Sequence, residues 1–237
     1  MIAANRNLPK NVLTGLAVVG WIVVLYLAYV VGNDSWRRTV LVLIEVTKGL
    51  PELDPFNQRY VDHPWLTMMH TIPGVLFVIL GPMQFMSPIR KRAPRMHRIF
   101  GRVYLTIAMF SAIIAIAITF VFPVWGMTLN QLLTLSLGIW MIFSLSKAFT
   151  YIRARKIPLH REWMIRGFTA GIAVGWFRFI LDDTLLRNGV EFTEAWNIAM
   201  VIALPTAVMA AEFWIWATKP GKKARPLVPS AKLATGQ

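Results

Sequence analysis

At 237 residues, with 56% hydrophobic and only 15% charged residues and a mean hydropathy of +0.54, the chain is too apolar for a water-soluble domain of its size. A formal charge of +14 would suit a nucleic-acid binder, but the basic residues sit in short clusters beside apolar runs, where anionic lipid headgroups are the nearer partner; nucleic acid is not expected. With no cysteine the chain can form no disulfide, no thiolate metal site and no cysteine nucleophile.

Six long apolar segments follow in order, at about 12–31, 65–86, 99–122, 128–150, 164–184 and 196–217. Each is near the about 20 residues that a helix needs to cross a hydrocarbon layer of about 30 Å. Inside lipid only helices and closed barrels satisfy their backbone hydrogen bonds, and continuous apolar runs without alternation select the helix. The expected fold is therefore all-α, a polytopic bundle of six transmembrane helices over residues 1–221. A basic tail at 222–237 is expected to be disordered.

The first segment has a basic lead, Arg6 and Lys10, but its apolar run is too long for a signal-peptide core and no small-x-small cleavage site precedes Gly32-Asn33-Asp34. It is kept as a helix. The connection after it, about 33 residues, is the longest, and Thr39 to Val46 reads as a short interfacial helix within it. Arg90, Lys91, Arg92, Arg95 and Arg98 fill the second loop, Arg153, Arg155, Lys156 and Arg161 the fourth, and Lys219 to Lys232 the tail. These share one face with the N-terminus, while the opposite face carries Asp34, Glu45, Glu52, Asp54 and Asp62 against Arg37, Arg38, Lys48 and Arg59 in its first loop, and Glu191 and Glu194 in its last. The bias places both termini in the cytoplasm. Tryptophans at segment ends, including Trp21, Trp65, Trp125, Trp163, Trp196 and Trp214, read as interfacial anchors.

The chemistry-bearing residues cluster at helix ends. His70 lies inside the second helix, and His97 and His160 open the third and fifth through matching Pro-led starts, Pro94-Arg95-Met96-His97-Arg98 with Arg102, and Pro158-Leu159-His160-Arg161 with Arg166. A projection at 100° per residue puts a stripe of small residues below each: Gly74, Gly81 and Gln84; Gly101, Tyr104, Ala108, Ser111 and Ala115; Gly167, Gly171, Arg178 and Asp182. Gly167, Gly171 and Gly175 are a doubled small-xxx-small pattern, which serves tight helix packing or room for a flat cofactor. Arg178 and Asp182 are intramembrane ionisable groups, either a functional site or a self-neutralising i,i+4 pair. Glu212 has a choice between a partner such as Arg102 or Arg166 and snorkelling to water.

His97 and His160 as axial ligands, with Arg98, Arg102, Arg161 and Arg166 as propionate partners, would suit a b-type haem. Asp62, His63 and His70 offer a metal site at the outer surface, against which Asp62-His63-Pro64 reads as the turn that starts the second helix. The inner His-Arg pairs also suit a phosphate headgroup.

The motifs His70-x-x-x-Gly74, Gly81-Pro82-Met83-Gln84-Phe85, Pro94-x-x-His97-Arg98-x-x-Gly101-Arg102-x-Tyr104 and His160-Arg161-x-Trp163-Met164-Ile165-Arg166, with Arg178, Asn197 and Ala211-Glu212, resemble the bacterial membrane family labelled domain of unknown function 2306, over about residues 60–217. The resemblance implies that His70, His97, His160, Arg102 and Arg166 belong to a family signature. More loosely the chain is similar to cytochrome b561-type bundles, although its fourth helix, opening Thr128-Leu129-Asn130-Gln131, has no histidine. Three functions are consistent with these features: a haem-binding or redox-linked protein of the bacterial inner membrane, a non-enzymatic assembly or lipid-headgroup-binding protein, and a small-solute or proton carrier using Arg178, Asp182 and His70. No reaction is assigned.

Overall fold

The structure, a computed structural model, describes residues 8–49, 53, 55–122 and 128–219. The tail at 222–237, Arg6, Glu52, Asp54 and Trp125 lie outside the described residues. All regular structure among the described residues is helical: α1 Lys10–Lys48, α2 Pro55–Asp62, α3 Pro64–Phe85, α4 Ser87–Arg92, α5 Pro94–Val121, α6 Thr128–Arg153, α7 Ile157–Arg178 and α8 Phe192–Ala217. A π-helical stretch, Phe179–Leu185, prolongs α7. Six helices are long and apolar enough to cross a membrane. The expected all-α, six-span architecture is what the chain adopts.

The first span departs from the sequence reading. Residues 32–48 are not a loop with a separate helix at Thr39 to Val46; α1 runs unbroken for 39 residues, about 58 Å at 1.5 Å per residue. Gly32-Asn33-Asp34 looks like a helix stop, but Gly32 lies where α1 crosses α3, and a Cβ there would stand 3.2 Å from Val78 Cγ2. The polar residues that follow are bonded one turn apart. Arg38 pairs with Asp34, and Thr39 Oγ1 donates to the Ser35 carbonyl at 2.9 Å. The helix ends only at Gly49, whose φ of 72° is one that glycine adopts without strain. The short helix of this connection is α2 instead.

Proline at the first turn opens α3, α4, α5 and α7, where its missing N–H costs nothing. α8 starts on Glu191, whose carboxylate accepts from the Thr193 and Glu194 amides at 2.8 and 3.1 Å. Those backbone bonds hold its pKa below the ordinary carboxylate value.

Packing is circular. α3 lies against α1 and α5, α5 against α6, α6 against α7, and α7 against α1, closing a ring of five helices; α8 packs on α7 from outside. α7 is the most enclosed helix, with 67% of its apolar window buried against 11–33% in the others. Its glycines make this possible, because each faces a different neighbour. A Cβ on Gly167 would stand 2.6 Å from Leu145 of α6, one on Gly171 would overlap the Phe77 ring of α3, and one on Gly175 would lie 2.6 Å from the Leu27 carbonyl oxygen of α1. The small-residue stripe is thus filled by protein: it serves helix packing, and these notches hold side chains and backbone rather than a flat cofactor.

Candidate functional site

The ring encloses a cavity of about 280 Å³ on the side of the molecule where α2 lies. α1 contributes Val31, Asp34, Ser35 and Arg38; α3 contributes Thr67, His70, Thr71, Gly74 and Phe77; α5 contributes Ser111, Ala112 and Ala115. Asn130, Gln131 and Met141 come from α6, Gly171, Phe177 and Arg178 from α7, and Trp196 and Met200 from α8. Of the stripes below His70 and along α5, Gly74, Ser111 and Ala115 line the cavity, whereas Gly81 and Gly101 pack against Phe168 and Gln84.

Charge gathers at one end of this cavity. Asp34 binds Arg38 in a bidentate fork, Oδ2 to Nε at 2.9 Å and Oδ1 to Nη2 at 3.0 Å. Arg178 lies 3.7 Å from Asp34 and 3.8 Å from Asp182, close enough for attraction but beyond hydrogen-bond length. The expected Arg178–Asp182 pair therefore exists, but as one edge of a larger network that includes α1. α2 covers the cluster with two aromatic rings. The Arg38 guanidinium stands 4.0 Å from the Tyr60 ring centre, Arg59 4.1 Å from that of Phe56, and Arg178 5.8 Å from Phe56 and Trp196. Cations over ring faces are stabilised by the ring quadrupole, increasingly so where water is excluded. Burial pulls the Arg59 pKa below its ordinary value, although a guanidinium stays charged in proteins.

His70 lies deeper, about 9 Å along α3 from Pro64 at the helical rise. Its Nδ1 is 3.1 Å from the Ser111 carbonyl oxygen, and the Ser111 hydroxyl donates to the His70 carbonyl at 3.3 Å. The Ser111 hydroxyl also stands 3.1 Å from Nδ1, so Ser111 holds this ring through both of its oxygens. Below it the cavity has an aromatic floor. Phe77 stacks on Tyr104 and Phe168 at 5.3 and 5.7 Å, and Phe168 meets Phe85 at 5.2 Å. The rings are seated in glycine notches, Phe77 on Gly171 and Phe168 on Gly81.

The other expected residues lie toward the opposite end. Gln84 is buried against Gly101, whose added Cβ would meet Gln84 Oε1 at 3.0 Å, and its Nε2 has no hydrogen-bond partner. His160 Nδ1 binds the Ala148 carbonyl at 2.9 Å, whereas the buried Nδ1 of His97 has no partner. The two histidines, in the first turns of α5 and α7, lie near enough to interact electrostatically, and neither lines the cavity. Arg98 and Arg102 are exposed, Arg161 donates to Thr218 Oγ1 at 2.6 Å, and Arg166 grips Glu212 in a fork at 2.6 and 2.8 Å. Glu212 thus has the internal partner expected of it, on the wall of a second, largely apolar groove between α6, α7 and α8.

At the turn between α2 and α3, His63 occupies the N-cap position without a side-chain cap bond and stacks on Phe122 at 5.3 Å, while Asp62 accepts from Gln58 at 2.8 Å. These are the contacts of a helix-starting turn, and among the described residues no three histidine or acidic side chains are grouped as metal ligands would be. Trp196 is not an interfacial anchor. It is 8% exposed and packs edge-on against Phe177 at 4.8 Å, because its face of α8 looks into α7. Arg38, Arg59 and Asp34 escaped the sequence reading as site residues because they fell in what looked like a loop; the i,i+4 spacing of Asp34 and Arg38 was the available signal.

A family model described as Predicted membrane protein (DUF2306) matches residues 67–215, which spans α3 to α8 nearly in full and leaves α1 and α2 outside. No curated protein and no solved structure gives a significant match. The match covers well over half of the chain and includes His70, Arg178, Trp196 and Glu212; the chain belongs to the DUF2306 family of predicted membrane proteins.

Proposed function

We propose that this membrane protein is a carrier for a small solute, which it binds in the cavity under α2. The observation that supports this reading best is the charge cluster itself: guanidiniums and carboxylates from α1, α2 and α7 converge on a cavity between apolar helices, with otherwise mainly apolar and small walls. Ionisable groups are costly at membrane depth and concentrate on substrate pathways. A floor of stacked rings on the far side of the cavity gives the solute one open side at a time, as alternating access requires. The basic-loop bias supports a bacterial inner membrane with both termini in the cytoplasm, and with the exposed Arg98 and Arg102 near anionic lipid headgroups. The haem reading of His97 and His160 has narrower support, the Ala148 carbonyl that fixes the His160 ring.

The test is release from proteoliposomes of three poorly permeant probes, benzenesulfonate, phenyltrimethylammonium and glucose. Faster release of at least one than from protein-free liposomes, abolished by Arg178→Ala, is expected. Release of all three at the protein-free rate would contradict the carrier.

A further inference from the structure

Away from the cavity, the groove between α6, α7 and α8 carries a charge pair of its own and opens outward. Its volume is about 440 Å³. The buried Ala170 and Ala173 of α7 form its floor, Leu137 and Trp140 of α6 one wall, and Leu204 and Ala211 of α8 the other. Ser136 on one rim and Pro205, Val208 and Met209 on the other are exposed. All three helices are long and apolar enough to cross a membrane, so lipid lies against these rims.

One end of the groove is polar. Arg166 grips Glu212 there, and the Trp163 ring centre lies 4.7 Å from the guanidinium. The two partners are unequally covered, since the arginine side chain is 16% exposed and the glutamate side chain 47%. Among the described residues the Glu212 carboxylate accepts from Arg166 alone, and a carboxylate has about four acceptor sites. Glu212 therefore offers acceptor capacity and negative charge to the occupant of the groove. Its depth matters too. α8 is 26 residues, about 39 Å, against a hydrocarbon layer of about 30 Å, and Glu212 lies about 8 Å before its end at Ala217. That is the level where acyl chains give way to glycerol and headgroup. From there to Leu204 the apolar wall runs for about 12 Å.

We propose that this groove holds one ethanolamine phospholipid, whose ammonium donates to Glu212 and one of whose acyl chains lies along Leu137, Ala173 and Leu204. The zwitterionic headgroup matches the neutral Arg166–Glu212 pair, ammonium to carboxylate and phosphate toward guanidinium, so no net charge is left at membrane depth. A choline headgroup has the same charge but no N–H, and cannot donate. The chain is held by contact and the headgroup by its donors.

The test titrates the delipidated full-length protein in detergent with dioleoyl phosphatidylethanolamine and dioleoyl phosphatidylcholine, and counts bound copies by native mass spectrometry. One ethanolamine lipid is expected to bind about tenfold more tightly than the choline lipid, as one charge-assisted hydrogen bond implies. Glu212→Gln should bring the two affinities together. Val208→Trp, which lays a ring over the exposed rim, should weaken both lipids severalfold without lowering the melting temperature, and serves if the glutamate variant does not fold. Equal affinity of the two lipids for the unsubstituted protein, or a preference that survives Glu212→Gln, would overturn the headgroup assignment. Affinities untouched by Val208→Trp would remove the acyl chain from the groove. The cavity reading stands or falls separately, on the release of probes from liposomes.

Discussion

Gly175→Ala should lower the stability of the folded protein by about 3 kcal/mol, at the upper end of the cost of overpacking a tight core. The added methyl would stand 2.6 Å from the Leu27 carbonyl oxygen and 3.1 Å from Val31 Cγ2. A carbonyl in the middle of a helix cannot rotate aside, so α1 and α7 must separate, and the ring around the cavity opens where they meet. Gly171→Ala meets a different neighbour, the tip of the Phe77 side chain, and should cost less because a ring can tilt. Gly15→Ala faces nothing within 4 Å and should cost nothing. Melting midpoints of the three variants in detergent check the order; a Gly175→Ala protein as stable as the Gly15→Ala one would show that the two helices do not touch there.

Asp34→Ala is expected to destabilise by about 3 kcal/mol, the lower end of what breaking a buried ion pair costs, since Asp34 is one-third exposed. The effect arises from what is left behind. Arg38 loses both bonds of its fork, and Arg178 keeps only the distant Asp182, so guanidiniums confront one another across the cavity. Asp183→Ala is the control. Its pair with Arg187 at 3.1 Å is on the surface, with side chains 73% and 39% exposed, and surface pairs contribute about 0–1 kcal/mol. Thermal unfolding of both variants distinguishes the cases, and equal losses would mean that the cluster around Asp34 is solvated like a surface pair.

Hydropathy alone located all six spans, since the requirement that a lipid-embedded backbone bond to itself leaves long apolar helices as the solution. It misjudged α1 because Asp34, Arg37 and Arg38 look like a water-exposed loop when counted one at a time. They are helical because Asp34 and Arg38 neutralise each other one turn apart and Arg178 reaches them from α7. Pairings of this sort are legible only when the helix is already known, and the contribution of α2 is not legible at all: nothing in Phe56 or Tyr60 announces which cations they will cover. The Arg178–Asp182 and Arg166–Glu212 pairs were open to expectation because an intramembrane charge needs a partner and few were on offer. Trp196 was misplaced because a tryptophan near a segment end serves interface or core equally well by position. Only the face of α8 turned toward Phe177 decides.

On the proposed carrier reading, water and solute reach the cavity from the α2 side. The cysteine-free sequence offers a direct test, since Ala115→Cys would place the sole thiol on the cavity wall. Two methanethiosulfonate reagents of similar size, one carrying a sulfonate and one a trimethylammonium group, would be applied in turn to each face of oriented vesicles. Reaction of either reagent from the α2 face, faster than from the face that carries the termini, is the predicted result. No reaction of either reagent from the α2 face would contradict it.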